Sequence, residues 1–187
     1  PFFEFTREFM NLEPEAWSLR WYRQMVGISS IGDTTVVTDK WMLGTRNSFF
    51  IGIVATLLAT ALGTVAALGL SRPHMPFKAV LMAILISPMI VPLIITAAGM
   101  FFFYSKMGLT HTYLGLILAH TALGTPFVVI TVTATLTGFD TNLIRASQSL
   151  GADTMRTFFK VIMPLILPGV ISGGLFAFIT SFDEVVV

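Results

Sequence analysis

The sequence predicts an all-α polytopic membrane protein, and three observations carry that prediction. Hydrophobic residues fill 55% of the 187 positions and charged residues only 11%, against about 25% charged in an ordinary soluble domain. The mean hydropathy is +0.83. The apolar residues gather in runs of roughly 20 or more, the length at which a helix crosses about 30 Å of hydrocarbon.

Composition also excludes several classes. A net charge of +1 leaves no basic patch for a nucleic-acid partner. Cysteine is absent, which removes disulfide frameworks, thiolate metal sites and cysteine nucleophiles. His74, His111 and His120 are scattered, so no histidine metal cluster is expected. No Gly-x-x-x-x-Gly-Lys-Ser/Thr loop, Gly-x-Ser-x-Gly elbow or His-Glu-x-x-His helix occurs. The chain is therefore expected to contribute no catalytic residues, no metal site and no cofactor of its own. It opens at Pro1 and stops at Val187 within an apolar run, with no signal peptide in view, and reads as a piece of a longer protein.

Residues 1–44 mix charges, with Glu4, Glu8, Glu13 and Glu15 against Arg7, Arg20 and Arg23, and carry aromatic clusters around Phe3 and Trp17. They are expected to form an extracytoplasmic segment with short helices at the membrane surface, where Trp and Tyr concentrate. The first span is expected over 47–70, about 24 residues without a charge. A tight turn follows, marked by Pro73 and Pro76. The second span, 79–104, contains Pro88 and Pro92, which predict a kinked or locally broken helix. The third covers 113–136, with Pro126 inside it, and the fourth covers 166–187.

Segment 138–163 differs in character. Asp140, Arg145, Gln148, Asp153, Arg156 and Lys160 make it too polar to cross lipid. Asp140 or Thr141 can cap a short helix on which Leu143, Ala146, Ser147 and Leu150 fall at helical spacing. Gly151 then stands where a helix C-terminus favours positive φ, and Asp153 or Thr154 can cap a second helix ending near Pro164. Such a hairpin suits either a strip resting on lipid headgroups or an element docked in a groove of a soluble partner. Arg72, Lys78, Arg145, Arg156 and Lys160 outweigh Asp140 and Asp153 on this side, so the positive-inside rule favours a cytoplasmic hairpin.

Three ionisable residues fall in or near apolar helices. Asp183 and Glu184 read either as carboxylates facing a solute path or as a structural pair held by helix ends or by Arg46. Adjacent helical residues point about 100° apart, so the two are not expected to line one pore together. His120 reads as a path residue or, preferably, as a neutral imidazole bonded to a neighbouring helix. Ala55, Ala59, Gly63 and Ala67, and again Gly173, Gly174 and Ala177, mark faces for close helix packing.

The run Arg145-Ala146-Ser147-Gln148-Ser149-Leu150-Gly151-Ala152-Asp153, followed by Phe158, Ile162, Pro164 and Pro168-Gly169, resembles the Glu-Ala-Ala loop of ABC importer permeases. Arg145 stands where that family often has Glu, and Ser147 where it often has Ala. Ser18-Leu19-Arg20-Trp21-Tyr22 and Ser181-Phe182-Asp183-Glu184-Val185-Val186-Val187 are similar to stretches of the spermidine/putrescine-type permeases. The resemblance implies a six-span fold of which this chain holds the second to fifth spans. It implies a permease subunit in a bacterial inner membrane that moves a polyamine or related organic cation by alternating access. Arg145, Ala146, Ser147, Leu150, Gly151, Ala152 and Phe158 would couple it to a dimeric ATPase carrying ATP and Mg. A second, different permease chain and an extracytoplasmic substrate-binding protein would complete the assembly. The rival readings are a secondary transporter or channel fragment using Asp183 or Glu184 for ion coupling, an intramembrane enzyme pairing His120 with Asp183, and a scaffold without a path.

Overall fold

A computed structural model describes the backbone of residues 3–5, 14–17, 35–72 and 74–184, with side chains from 42 onward within those ranges. The stretch 18–22 and the last residues of the expected fourth span, 185–187, lie outside them. Two compact units divide the chain, 1–49 and 50–187. In the first, β1 (Phe3–Phe5) pairs antiparallel with β2 (Pro14–Trp17), Phe3 opposite Trp17 and Glu4 opposite Ala16. This corrects the expectation of short surface helices at those positions. Phe3-Glu4-Phe5 alternates apolar and polar residues with the period of a strand.

The remaining described residues are almost entirely helical. Helix α1 (Thr35–Leu70) begins well before residue 47, and its segment Met42–Leu70 is long and apolar enough to span a membrane. Two helices, α2 (Lys78–Ile90) and α3 (Leu93–Met107), occupy the expected second span and meet at 102°. The cause lies in Pro92. It has no N–H to close the turn, and it forces the residue before it out of helical conformation. Val91 is accordingly extended, φ −72° and ψ 135°.

Helix α4 (Tyr113–Thr137) is the most enclosed element. Its start is fixed by the Thr112 hydroxyl, which accepts from the Gly115 amide at 3.0 Å. Pro126 does not break it, and the Thr125 hydroxyl donates to the Thr121 carbonyl beside the proline. Three elements then run on: α5 (Asn142–Ser149), α6 (Thr154–Thr157) and a π-helical turn, Phe158–Ile162, that leads straight into α7 (Met163–Asp183). Pro164 does not end this helix, contrary to expectation. It falls in the first turn of α7, where the wider π-turn supplies room for a residue that cannot donate.

The core forms where α1, α4 and α7 approach closely on small residues. Ala55, Ala59 and Ala67 are buried. A Cβ on Gly63 would lie 2.7 Å from Cβ of Val128, and one on Gly124 would lie 3.0 Å from Cβ of Ala177. Both small-residue faces therefore pack within the chain. Lipid tails give no hydrophobic drive between helices, so close van der Waals contact of this kind must hold them together.

Candidate functional site

The hairpin at 140–157 is built from backbone constraints. Asp140 Oδ1 accepts from the Asn142 amide at 2.9 Å, and Asp153 Oδ1 accepts from the Arg156 amide at 2.7 Å, capping α6. Between α5 and α6, Gly151 adopts φ 80° with open space around it. The turn thus needs glycine for its backbone angle, not for room. Leu143, Ala146 and Leu150 are exposed, Leu150 at 89%. Arg145 is exposed as well, and Ala152 is half-buried.

Two of the residues named for coupling, Ser147 and Phe158, lie off this exposed face. Ser147 is half-buried, and its hydroxyl hydrogen-bonds the Thr157 hydroxyl at 2.8 Å, tying α5 to α6. Phe158 is half-buried and lines a cleft behind the hairpin. The helical period explains the split: Ile144, Ser147 and Gln148 share the inward face, and Leu143, Ala146 and Leu150 the outward one.

The second region lies at the broken span. Pro88 to Leu93, Leu123 and Phe127 of α4, and Thr180 and Glu184 from the end of α7, enclose a cleft of about 380 Å³. The break sits 10–14 residues along from Lys78, about 15–21 Å by helical rise. The Pro88 carbonyl would normally accept from the amide of residue 92, which is proline, so it loses that partner. The C-terminal carbonyls of α2 carry the negative end of its dipole. Glu184 places one carboxylate among the mostly apolar residues that line this cleft.

The three predicted path residues are placed differently from one another. Glu184 is half-buried, just past the end of α7, and faces the cleft. Asp183, the last residue of α7, is exposed and does not line it. His120 is 8% exposed and lies in the seam between α4 and α7, where Nδ1 hydrogen-bonds the Ser181 hydroxyl at 2.9 Å. Glu184 is near enough to act on the imidazole through its charge. Nδ1 of His120 is thus engaged by Ser181, not by Asp183. Sequence reasoning missed Thr180 and Phe127. The Pro88–Pro92 spacing was their only signal, and it shows where the chain breaks without showing what faces the break. No group of three or more His, Asp or Glu among the described residues could hold a metal.

Comparison with known proteins agrees with this architecture. The chain is 30% identical over 183 residues to the spermidine/putrescine transport system permease protein PotC of Haemophilus influenzae, covering 98% of this chain and 67% of that protein. It is 27% identical over 173 residues to PotC of Escherichia coli K12, covering 92% and 62%. It is 28% identical over 173 residues to the osmoprotective compounds uptake permease protein GgtD of Synechocystis, covering 91% and 58%. The chain thus spans about two thirds of the length of the PotC proteins. All three are transport permeases and none is an enzyme. A family model matches residues 59–187, from the packing face of α1 through the hairpin to the end of α7. On that match, the chain belongs to the binding-protein-dependent transport system inner membrane components.

Proposed function

We propose that the chain forms the central spans of a permease subunit in an ATP-driven importer, placed in a bacterial inner membrane. The solute is a polyamine or a related small organic cation. The hairpin docks by its outward face, Leu143, Ala146 and Leu150, into a groove of a separate ATPase subunit that carries the ATP and Mg. Arg145 flanks that face, Gly151 and Ala152 shape the turn, and Ser147 holds the hairpin closed from behind. A second permease chain encloses the path with this one, and a substrate-binding protein delivers solute from outside. ATP-driven closure of the ATPase pair pulls on the hairpins and rocks the spans between inward- and outward-facing arrangements. The cleft at the α2–α3 break is one station on the path, with Glu184 drawing the cation toward the bent span.

One observation carries this reading. An almost fully exposed Leu150 stands at the tip of a hairpin whose shape is set by a positive-φ glycine. A surface that apolar and that fixed in shape suits a protein groove. The polyamine assignment is supported by Glu184 in the cleft and by the likeness to PotC.

The test is a Leu150→Cys variant in the complete transporter, purified from native membranes and treated with a short thiol crosslinker. Crosslinking to a nucleotide-binding subunit is expected. Labelling by lipid-phase reagents alone, with no such adduct, would overturn the assignment. Uptake into vesicles driven by an ion gradient without ATP would favour the secondary-transporter reading instead.

A further inference from the structure

Behind the hairpin lies a second cleft, of about 450 Å³, separate from the one at the α2–α3 break. It opens between the end of α1, the end of α4 and the inner face of α5 and α6. Its floor is apolar, with Leu68, Leu136 and Ile162. Its rim is polar, with Ser71, Arg72 and Gln148. We propose that this cleft binds the headgroup of an anionic phospholipid, with the glycerol and upper acyl chains against the apolar floor.

The depth fits. Helix α1 ends at Leu70, two residues after Leu68 and two before Arg72, so the lining passes from apolar to charged across the end of an apolar helix. That gradient over a few ångströms matches the boundary between headgroup and acyl chain. The charge fits too. Arg72 is exposed, and among the described residues no carboxylate pairs with its guanidinium. The nearest acids in sequence on this side, Asp140 and Asp153, already accept backbone amides. Lys78, Arg145, Arg156 and Lys160 add to the positive field, which attracts anionic lipid to a cytoplasmic surface. A guanidinium at the rim disfavours a cationic occupant and suits the two oxygens of a phosphodiester. Free phosphate would leave the apolar floor uncovered. A lipid covers both halves, and it would brace the hairpin against the ends of the spans.

The test uses the complete transporter in nanodiscs of phosphatidylcholine with about one quarter phosphatidylglycerol, followed by native mass spectrometry of retained lipids. This readout does not depend on transport, so it can fail while the importer reading stands, and the reverse. Arg72→Gln is expected to lower retained phosphatidylglycerol about fivefold, the usual worth of one basic residue at an anionic surface. Lys78→Gln, outside the cleft lining, is expected to lower retention less than Arg72→Gln does. Equal loss in both variants would reduce the site to a diffuse basic surface and overturn the proposal. So would unchanged retention in Arg72→Gln, the result expected if another protein segment fills the cleft. Displacement of the lipid by millimolar inorganic phosphate would make the site one for a free anion, and would overturn it equally.

Discussion

Gly151 offers the most discriminating perturbation. It holds φ 80°, and an added Cβ would meet nothing within 4 Å. Any cost of substitution must therefore come from the backbone angle alone. A side chain in the left-handed region costs about 1–2 kcal/mol, and somewhat more for a β-branched residue. Asparagine tolerates that region far better. Gly151→Val is thus expected to shift the bent hairpin toward straightened forms by roughly 5- to 30-fold, and Gly151→Asn by much less. The assay is ATPase stimulation by substrate, together with uptake, in proteoliposomes holding the complete transporter. Val should lower uptake and loosen its link to ATP hydrolysis, while Asn stays near wild type. If Asn fails as badly as Val, the site is limited by space at a partner surface and not by φ. If Val behaves as wild type, the bend does not matter to coupling.

Other outcomes follow from the packing and the cleft. Gly63→Val would drive atoms into the fully buried Val128, whose Cβ would stand only 2.7 Å from the first carbon added, and should destabilise the bundle by about 1–3 kcal/mol in detergent unfolding assays. Gly69→Ala, with open space around it, should be neutral or slightly stabilising in the same assay. Ser181→Ala should remove the interhelical bond to His120 and cost about 0.5–2 kcal/mol, with the double variant Ser181→Ala/His120→Phe costing less than the sum of the singles. Glu184→Gln should weaken uptake of a dication more than of a neutral solute, and more than Asp183→Asn does; equal effects of the two substitutions would show that the cleft does not select for charge.

Much of the fold was legible because membrane spans depend on long-range composition, which survives local ambiguity. The break near Pro88 and Pro92 was legible for a different reason, since a missing donor acts at its own position whatever surrounds it. The small-residue stripe from Ala55 to Ala67 was readable as a packing face, yet its partner was not, because Val128 and Ala177 carry no mark that pairs them with it. Ser147 was assigned to the wrong face. It follows Ala146 by one residue, about 100° around the helix, and the bond to Thr157 that holds it inward joins residues ten apart. Pro164 misled in the same way: a π-turn absorbs it, and no residue type announces one. Asp183 and Glu184 could be recognised as unusual together. Only the point where α7 ends decides which of them turns toward the cleft.

The π-turn has a mechanical consequence. Because it removes the joint that Pro164 would otherwise create, residues Thr154–Asp183 form one continuous shaft of 30 residues, about 45 Å long. One end follows the capping Asp153 of the hairpin, and the other ends beside Glu184 at the cleft of the broken span. Swinging the near end by about 10° would carry the far end through roughly 8 Å. On the proposed docking of the hairpin, a displacement of α6 would thus reach Glu184 through a single run of helix.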